Sequence, residues 1–107
     1  MSTNLLAQQR LKEIESNLVK TSDTIERLYL WVSFIKNFSR ETQKSYDEHY
    51  NEFAQLCENY VLTPDPGVRS TLRRQIKTVA LELQHFNEIM MRVAQIQKRL
   101  ETDLTSR

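Results

Sequence analysis

The sequence predicts an all-α protein, a long helical hairpin or three-helix bundle with coiled-coil character, and three observations carry that expectation. The chain of 107 residues holds one glycine and two prolines, whereas sheets joined by many turns need these residues repeatedly. All three breakers fall in one stretch, "TPDPG" at 63–67. On either side of it, apolar residues recur at intervals of three and four, the repeat that lines one face of a helix. A length near the commonest single-domain size predicts one domain over 1–107. With 39% hydrophobic and 27% charged residues, the chain lies well away from the composition of disordered segments.

The first helix is expected over about 3–38. Leu11, Leu18, Ile25 and Val32 form one seven-residue series, and Ile14, Leu28 and Ile35 the interleaved one, with Thr21 as a polar interruption. The second helix is expected over about 40–62, carried by the stripe Tyr46, Tyr50, Phe53, Cys57 and Tyr60. Between them, "NFSRETQKS" at 37–45 contains no breaker. The reading favours a reversal there, with Ser39 as N-cap, or Ser45 and Glu48 as a capping box. The alternative is one continuous helix, because the series at 11, 18, 25 and 32 runs on through Ser39, Tyr46, Phe53 and Tyr60 without a phase slip.

The turn at 63–67 ends the second helix, since the residue before a proline is pushed out of helical geometry. Asp65 can cap a third helix with Pro66 at its first position. Otherwise Pro66 and Gly67 centre a type II turn, and Ser70 caps a later start. The third helix is expected over about 66–106, with Leu72, Val79, Phe86, Val93 and Leu100 alternating with Ile76, Leu83, Met90 and Leu104. Only Gln97 breaks that pattern. Charge favours antiparallel packing of the last two helices: residues 41–65 carry Glu41, Asp47, Glu48, Glu52, Glu58 and Asp65 against Lys44, while 66–107 are predominantly basic.

Function is read mainly by exclusion. The lone Cys57 has no internal disulfide partner and lies eight residues from His49, about 12 Å along a helix, too far for a thiol–imidazole dyad. One glycine cannot build a phosphate-cradling loop. The Glu-x-x-His of Glu82 and His85 is the helical motif of di-iron bundles; one copy in a seam flanked by Leu83 and Phe86 reads as a pair of boundary residues. No cofactor, no catalytic residue and no metal ligand is expected. The first residues turn charged too early for a signal peptide, and no apolar run nears the ~20 residues of a membrane span. An intracellular, cytoplasmic chain is the expectation.

What remains is association. In "ERLYLWVSFIKNF" at 26–38, Leu30, Trp31, Phe34 and Phe38 project away from the seam, making the helix apolar nearly all round. Such a segment is either the centre of a three-helix core or a set of aromatic anchors for another chain. Helices of about 54, 35 and 60 Å would overhang at opposite ends. Leu5, Leu6, Leu11 and Ile14, and on the third helix Val93, Ile96, Leu100 and Leu104, would then need a partner, either a second copy in a dimer or another helical subunit.

Arg69, Arg73, Arg74 and Lys77 cluster where the helix dipole disfavours cations. Glu52 and Glu58 are the expected compensation, with an acidic partner or nucleic acid as the functional alternative. The sequence thus predicts a non-enzymatic scaffold, adaptor or small chaperone-like subunit. A nucleic-acid-binding accessory protein using the basic start of the last helix is the runner-up.

Overall fold

The computed structural model describes residues 3–106, and within them three helices and no strand: α1, Thr3–Lys20; α2, Thr24–Leu62; and α3, Pro66–Thr105. α2 and α3 form an antiparallel hairpin that sets the long dimension of a molecule 63 × 25 × 17 Å across. α1 folds back along the open end of that hairpin, antiparallel to α2 and parallel to α3. The end near the Pro/Gly turn is two helices thick; the other end is three.

The expected first reversal moves. The chain breaks at Thr21–Asp23 and runs unbroken through Ser39 as one helix of 39 residues. The expected helices over 3–38 and 40–62 are therefore replaced by a short one and a long one. The cause is local. Asp23 is an N-cap in extended geometry, and its carboxylate accepts from the N–H groups of Ile25 (2.9 Å) and Glu26 (3.0 Å). Thr21 turns its hydroxyl onto the Asn17 carbonyl (2.9 Å), and Arg27 reaches back to the Ser22 carbonyl (3.1 Å). Four consecutive residues, Thr21 to Thr24, have side chains that compete for backbone hydrogen bonds and favour caps over helix interiors. Nothing comparable interrupts 37–45, whose residues are all helical.

The second reversal is where the breakers place it. Asp65 caps α3 by accepting from the Gly67 N–H at 2.9 Å, with Pro66 at the helix start, where a missing N–H leaves no bond unmade. A type II turn would need positive φ at Gly67, and Gly67 has none. A Cβ there would meet the Asp65 carboxylate only at an ordinary 3.5 Å.

The core lies in the three-helix half. Ala7, Leu11, Ile14 and Leu18 of α1 pack with Trp31 and Phe38 of α2 and Ile89, Val93, Ile96 and Leu100 of α3. Trp31, Phe38 and Phe86 are fully buried. The Trp31 indole N–H donates to the side-chain oxygen of Gln97. The one residue out of pattern on α3 is thus the acceptor a buried indole requires. Phe34 stacks on Phe38 with ring centroids 4.8 Å apart, and Arg10 of α1 lies over both rings at 5.9 and 5.5 Å while pairing with Glu41.

Candidate association surface

α1 gives the hairpin two unlike faces. The 3.6-residue repeat puts Leu30, Phe34, Glu41, Glu48, Glu52, Gln55 and Asn59 along the edge of α2 that α1 follows. On α3 the matching edge carries Ile96, Ile89, Glu82, Thr78, Gln75 and Thr71. Beside α1, Leu30, Phe34, Ile89 and Ile96 are apolar and covered, and Glu41 and Glu82 are met by Arg10 and Asn4 of α1. Past its N-terminus the positions become polar and exposed. Asn4 marks the change: its side-chain amide donates to the Glu82 carbonyl at 3.0 Å and to the Glu82 carboxylate. α1 ends where the surface it covers stops being apolar.

The opposite face behaves differently. Ile25, Val32, Ser39, Tyr46, Tyr50 and Cys57 follow one another along the other edge of α2, with Met90, Ala94 and Ala80 beside them on α3. Thr42, Gln43 and Tyr46 share a groove of about 100 Å³ with Phe86, Asn87 and Met90, which ties the two edges into one surface. Ile25 is 68% exposed, Val32 55% and Tyr50 52%, while Cys57 and Tyr46 are half-buried. This stripe extends along α2 from its first turn to Cys57, and beyond its partial packing against α3 no described helix covers it.

Charge divides along the same line. Among the described residues the ion pairs are Arg10–Glu41, Arg92–Glu15 and Arg27–Asp103, the first two made by α1 and all in the three-helix half. A groove of about 470 Å³ is lined by Glu15 and Arg92, which pair with each other, and by Arg27 and Asp103, which form a second pair. Bases bordering the open face, including Lys36, Arg73 and Lys98, have no carboxylate partner among the described residues.

The sequence-predicted residues divide accordingly. Trp31, Phe38, Leu11, Ile14, Val93, Ile96 and Leu100 are buried within the chain, and Leu30 and Phe34 pack half-buried against the same core. Of the residues expected to need a partner, Leu5, Leu6 and Leu104 remain exposed. Folding α1 back removes the overhang that would have left the buried positions wet. The residues that are open instead, Ile25 and Val32, carry the same heptad phase as Leu11 and Leu18. The signal that separates them is the Asp23-x-x-Glu26 capping pattern, which restarts the helix and rotates the register.

The basic cluster does not meet Glu52 or Glu58. Arg73 donates to the Tyr60 hydroxyl at 2.6 Å, and the Arg69 guanidinium lies 4.3 Å from the centre of the same ring. The Arg73 hydrogen bond lowers the Tyr60 phenol below its ordinary pKa of 10.0; partial desolvation opposes it, and the charges of Arg73 and Arg69 add to it. Arg74 and Lys77 are exposed, with no carboxylate partner among the described residues. His49 engages the Ser45 carbonyl at 2.8 Å and sits edge-on to Phe86. Glu82 is occupied by Asn4, His85 is exposed, and among the described residues no three His, Cys, Asp or Glu side chains gather as a metal group. Among those residues, too, no helix is long and apolar enough to cross a membrane.

The chain matches no family model, no curated protein and no solved structure.

Proposed function

We propose that the protein is a non-enzymatic association module, a scaffold or adaptor subunit whose open α2/α3 face receives another helix. One observation carries the reading: the two faces of the hairpin differ in how far their apolar residues extend. On the α1 side, apolar residues stop with α1. On the opposite side they continue into the two-helix half, beneath none of the described helices. An apolar stripe of that length left in water is a liability unless something packs on it. A helix laid along it would convert the three-helix half into a four-helix bundle of coiled-coil type and thicken the two-helix half.

The available area fits a specific but separable contact. α2 is about 58 Å long and a packed helix about 10 Å wide, so the face offers about 600 Å² on each side. The total of about 1,200 Å² is the lower limit of stable interfaces.

Replacing Val32 and Tyr50 together by glutamate tests the reading, since both are more than half exposed and neither supports the core. The double variant keeps its helicity and melting temperature and loses association, measured by light scattering or by recovery of the bound chain. Undiminished association in a folded double variant would place the contact elsewhere and sink the proposal.

A further inference from the structure

The groove that α1 forms with α3 and the first turns of α2 shares no residue with the open face. Its volume of about 470 Å³ falls in the range of small-molecule sites. The geometry points to a ligand site here for a small amphiphilic anion, a carboxylate on an unbranched apolar chain, with the head beside Arg27 and Arg99 and the chain running toward Arg92.

Charge selects the head. Three arginines line the groove, Arg27, Arg92 and Arg99, against two acids, Glu15 and Asp103, which leaves one positive charge over. The end at Arg92 is balanced by its pair with Glu15. At the other end two guanidiniums stand against one carboxylate. Arg27 Nη1 is 4.0 Å from Asp103, the outer limit of an ion pair, and Arg99, one turn before Asp103 on α3, makes no ion pair among the described residues. The Arg27 side chain is only 23% exposed, donates to the Ser22 carbonyl at 3.1 Å, and holds a buried Nε–H that finds no acceptor. A guanidinium withdrawn from water costs free energy until its charge and donors are met. One anionic head meets the charge that Asp103 leaves over, and a polyanion would exceed it.

The walls select the chain. Between the charged ends they are made by Leu18 and Val19 of α1 and by Ile96 and Leu100 of α3. Val19 is 87% exposed, an open apolar side chain that a ligand tail would cover. Arg92 and Arg99 are seven residues apart, ~10 Å along α3, and the extended chain of octanoate is about that long. Because all three helices contribute to the groove, its ligand ties α1 to the hairpin and stabilises the folded chain.

Octanoate, 1-octanol, octylammonium and acetate, titrated by calorimetry into the full chain at low salt, separate head from tail. Octanoate binds saturably, one molecule per chain, and raises the melting temperature. The other three bind at least ~tenfold more weakly, the loss that follows when a hydrogen bond to a charged group or the apolar contact is removed. Arg99→Gln, at an exposed position, lowers octanoate affinity about tenfold. Asp103→Asn raises it, because the competing carboxylate is neutralised. Val32→Glu on the open face leaves it unchanged, so this site and the association reading stand or fail separately.

Octanol or octylammonium binding as tightly as octanoate would overturn the anionic head, and acetate binding as tightly would overturn the apolar chain. Octanoate affinity unchanged in folded Arg99→Gln and Asp103→Asn would put the ligand elsewhere and overturn the site. The absence of saturable octanoate binding would overturn the proposal as a whole.

Discussion

The two halves of the α2/α3 hairpin are built from the same two helices and differ in what they pack against. In the half beside α1, Trp31 and Phe38 are fully enclosed and the ion pairs connect one helix to another. In the half beside the turn, Phe53, Leu56, Cys57, Leu72 and Ile76 reach only partial burial, and Val61, Leu62 and Val68 are exposed at the tip. A two-helix layer can shield its seam from one direction only. The enclosed core therefore resides with α1, and the proposed contact surface is the face that α1 leaves open.

The sharpest way to break that division is a pair of adjacent substitutions. Trp31→Ala removes a fully buried indole from the three-helix core and should cost about 3–5 kcal/mol, a large part of the stability of a domain this size. Val32→Ala, one residue on and more than half exposed, should stay within about 0.5 kcal/mol. Urea denaturation of the two variants reads the difference directly. Equal losses would mean that the open face is part of the monomer's core.

The second test concerns the break that creates α1. Asp23→Ala removes the N-cap of α2 and should cost about 1 kcal/mol, whereas Asp23→Asn should retain most of it because either side chain can accept the same two N–H bonds. Asp65→Ala should cost a similar amount at the other turn. Thermal melts of the three variants give the ranking.

Smaller still is the effect at the base of the two-helix half. Arg73 holds the Tyr60 phenol below the ordinary tyrosine pKa. The phenolate absorbance that Tyr60→Phe removes should develop below the ordinary tyrosine range. Arg73→Ala should move it back toward the ordinary value, because the lowering hydrogen bond is gone. The stability linked to this titration has the sign of an acid with a depressed folded pKa. It is complete only above the unfolded tyrosine value and is lost as pH falls through the folded one. Stability at neutral pH is then unaffected by this ionisation.

How much of this was legible in the sequence depends on which signal each feature left. The Pro/Gly turn and the α3 seam through Val79, Phe86, Val93 and Leu100 were readable, because breakers and heptads act locally. The break at Thr21–Asp23 was hidden by periodicity itself, since Ile25 and Val32 stand in phase with Leu11 and Leu18 while pointing away from the core. Capping chemistry at Asp23 and Glu26 carried the information that the seven-residue spacing concealed. Trp31, Phe34 and Phe38 were recognisable as residues needing burial on several sides, but spacing along one helix cannot say whether the covering helix belongs to the same chain. Tyr60 as the partner of Arg69 and Arg73 depends on the register across the turn, which brings residues before and after Asp65 together, and no local pattern displays it.

The central claim is that the open α2/α3 face is occupied when the protein works, and Cys57, the chain's single cysteine, stands on that face as a native reporter. Its alkylation rate can be measured in fresh extract of the source cells and again in the purified chain at high dilution. A second thiol, Asn59→Cys in a Cys57→Ser background, reports the polar edge two residues away. The account predicts that Cys57 reacts several-fold more slowly in extract than in the purified chain, while the thiol at position 59 reacts equally in both. Equal rates for Cys57 in the two conditions, or equal protection at both positions, would contradict it.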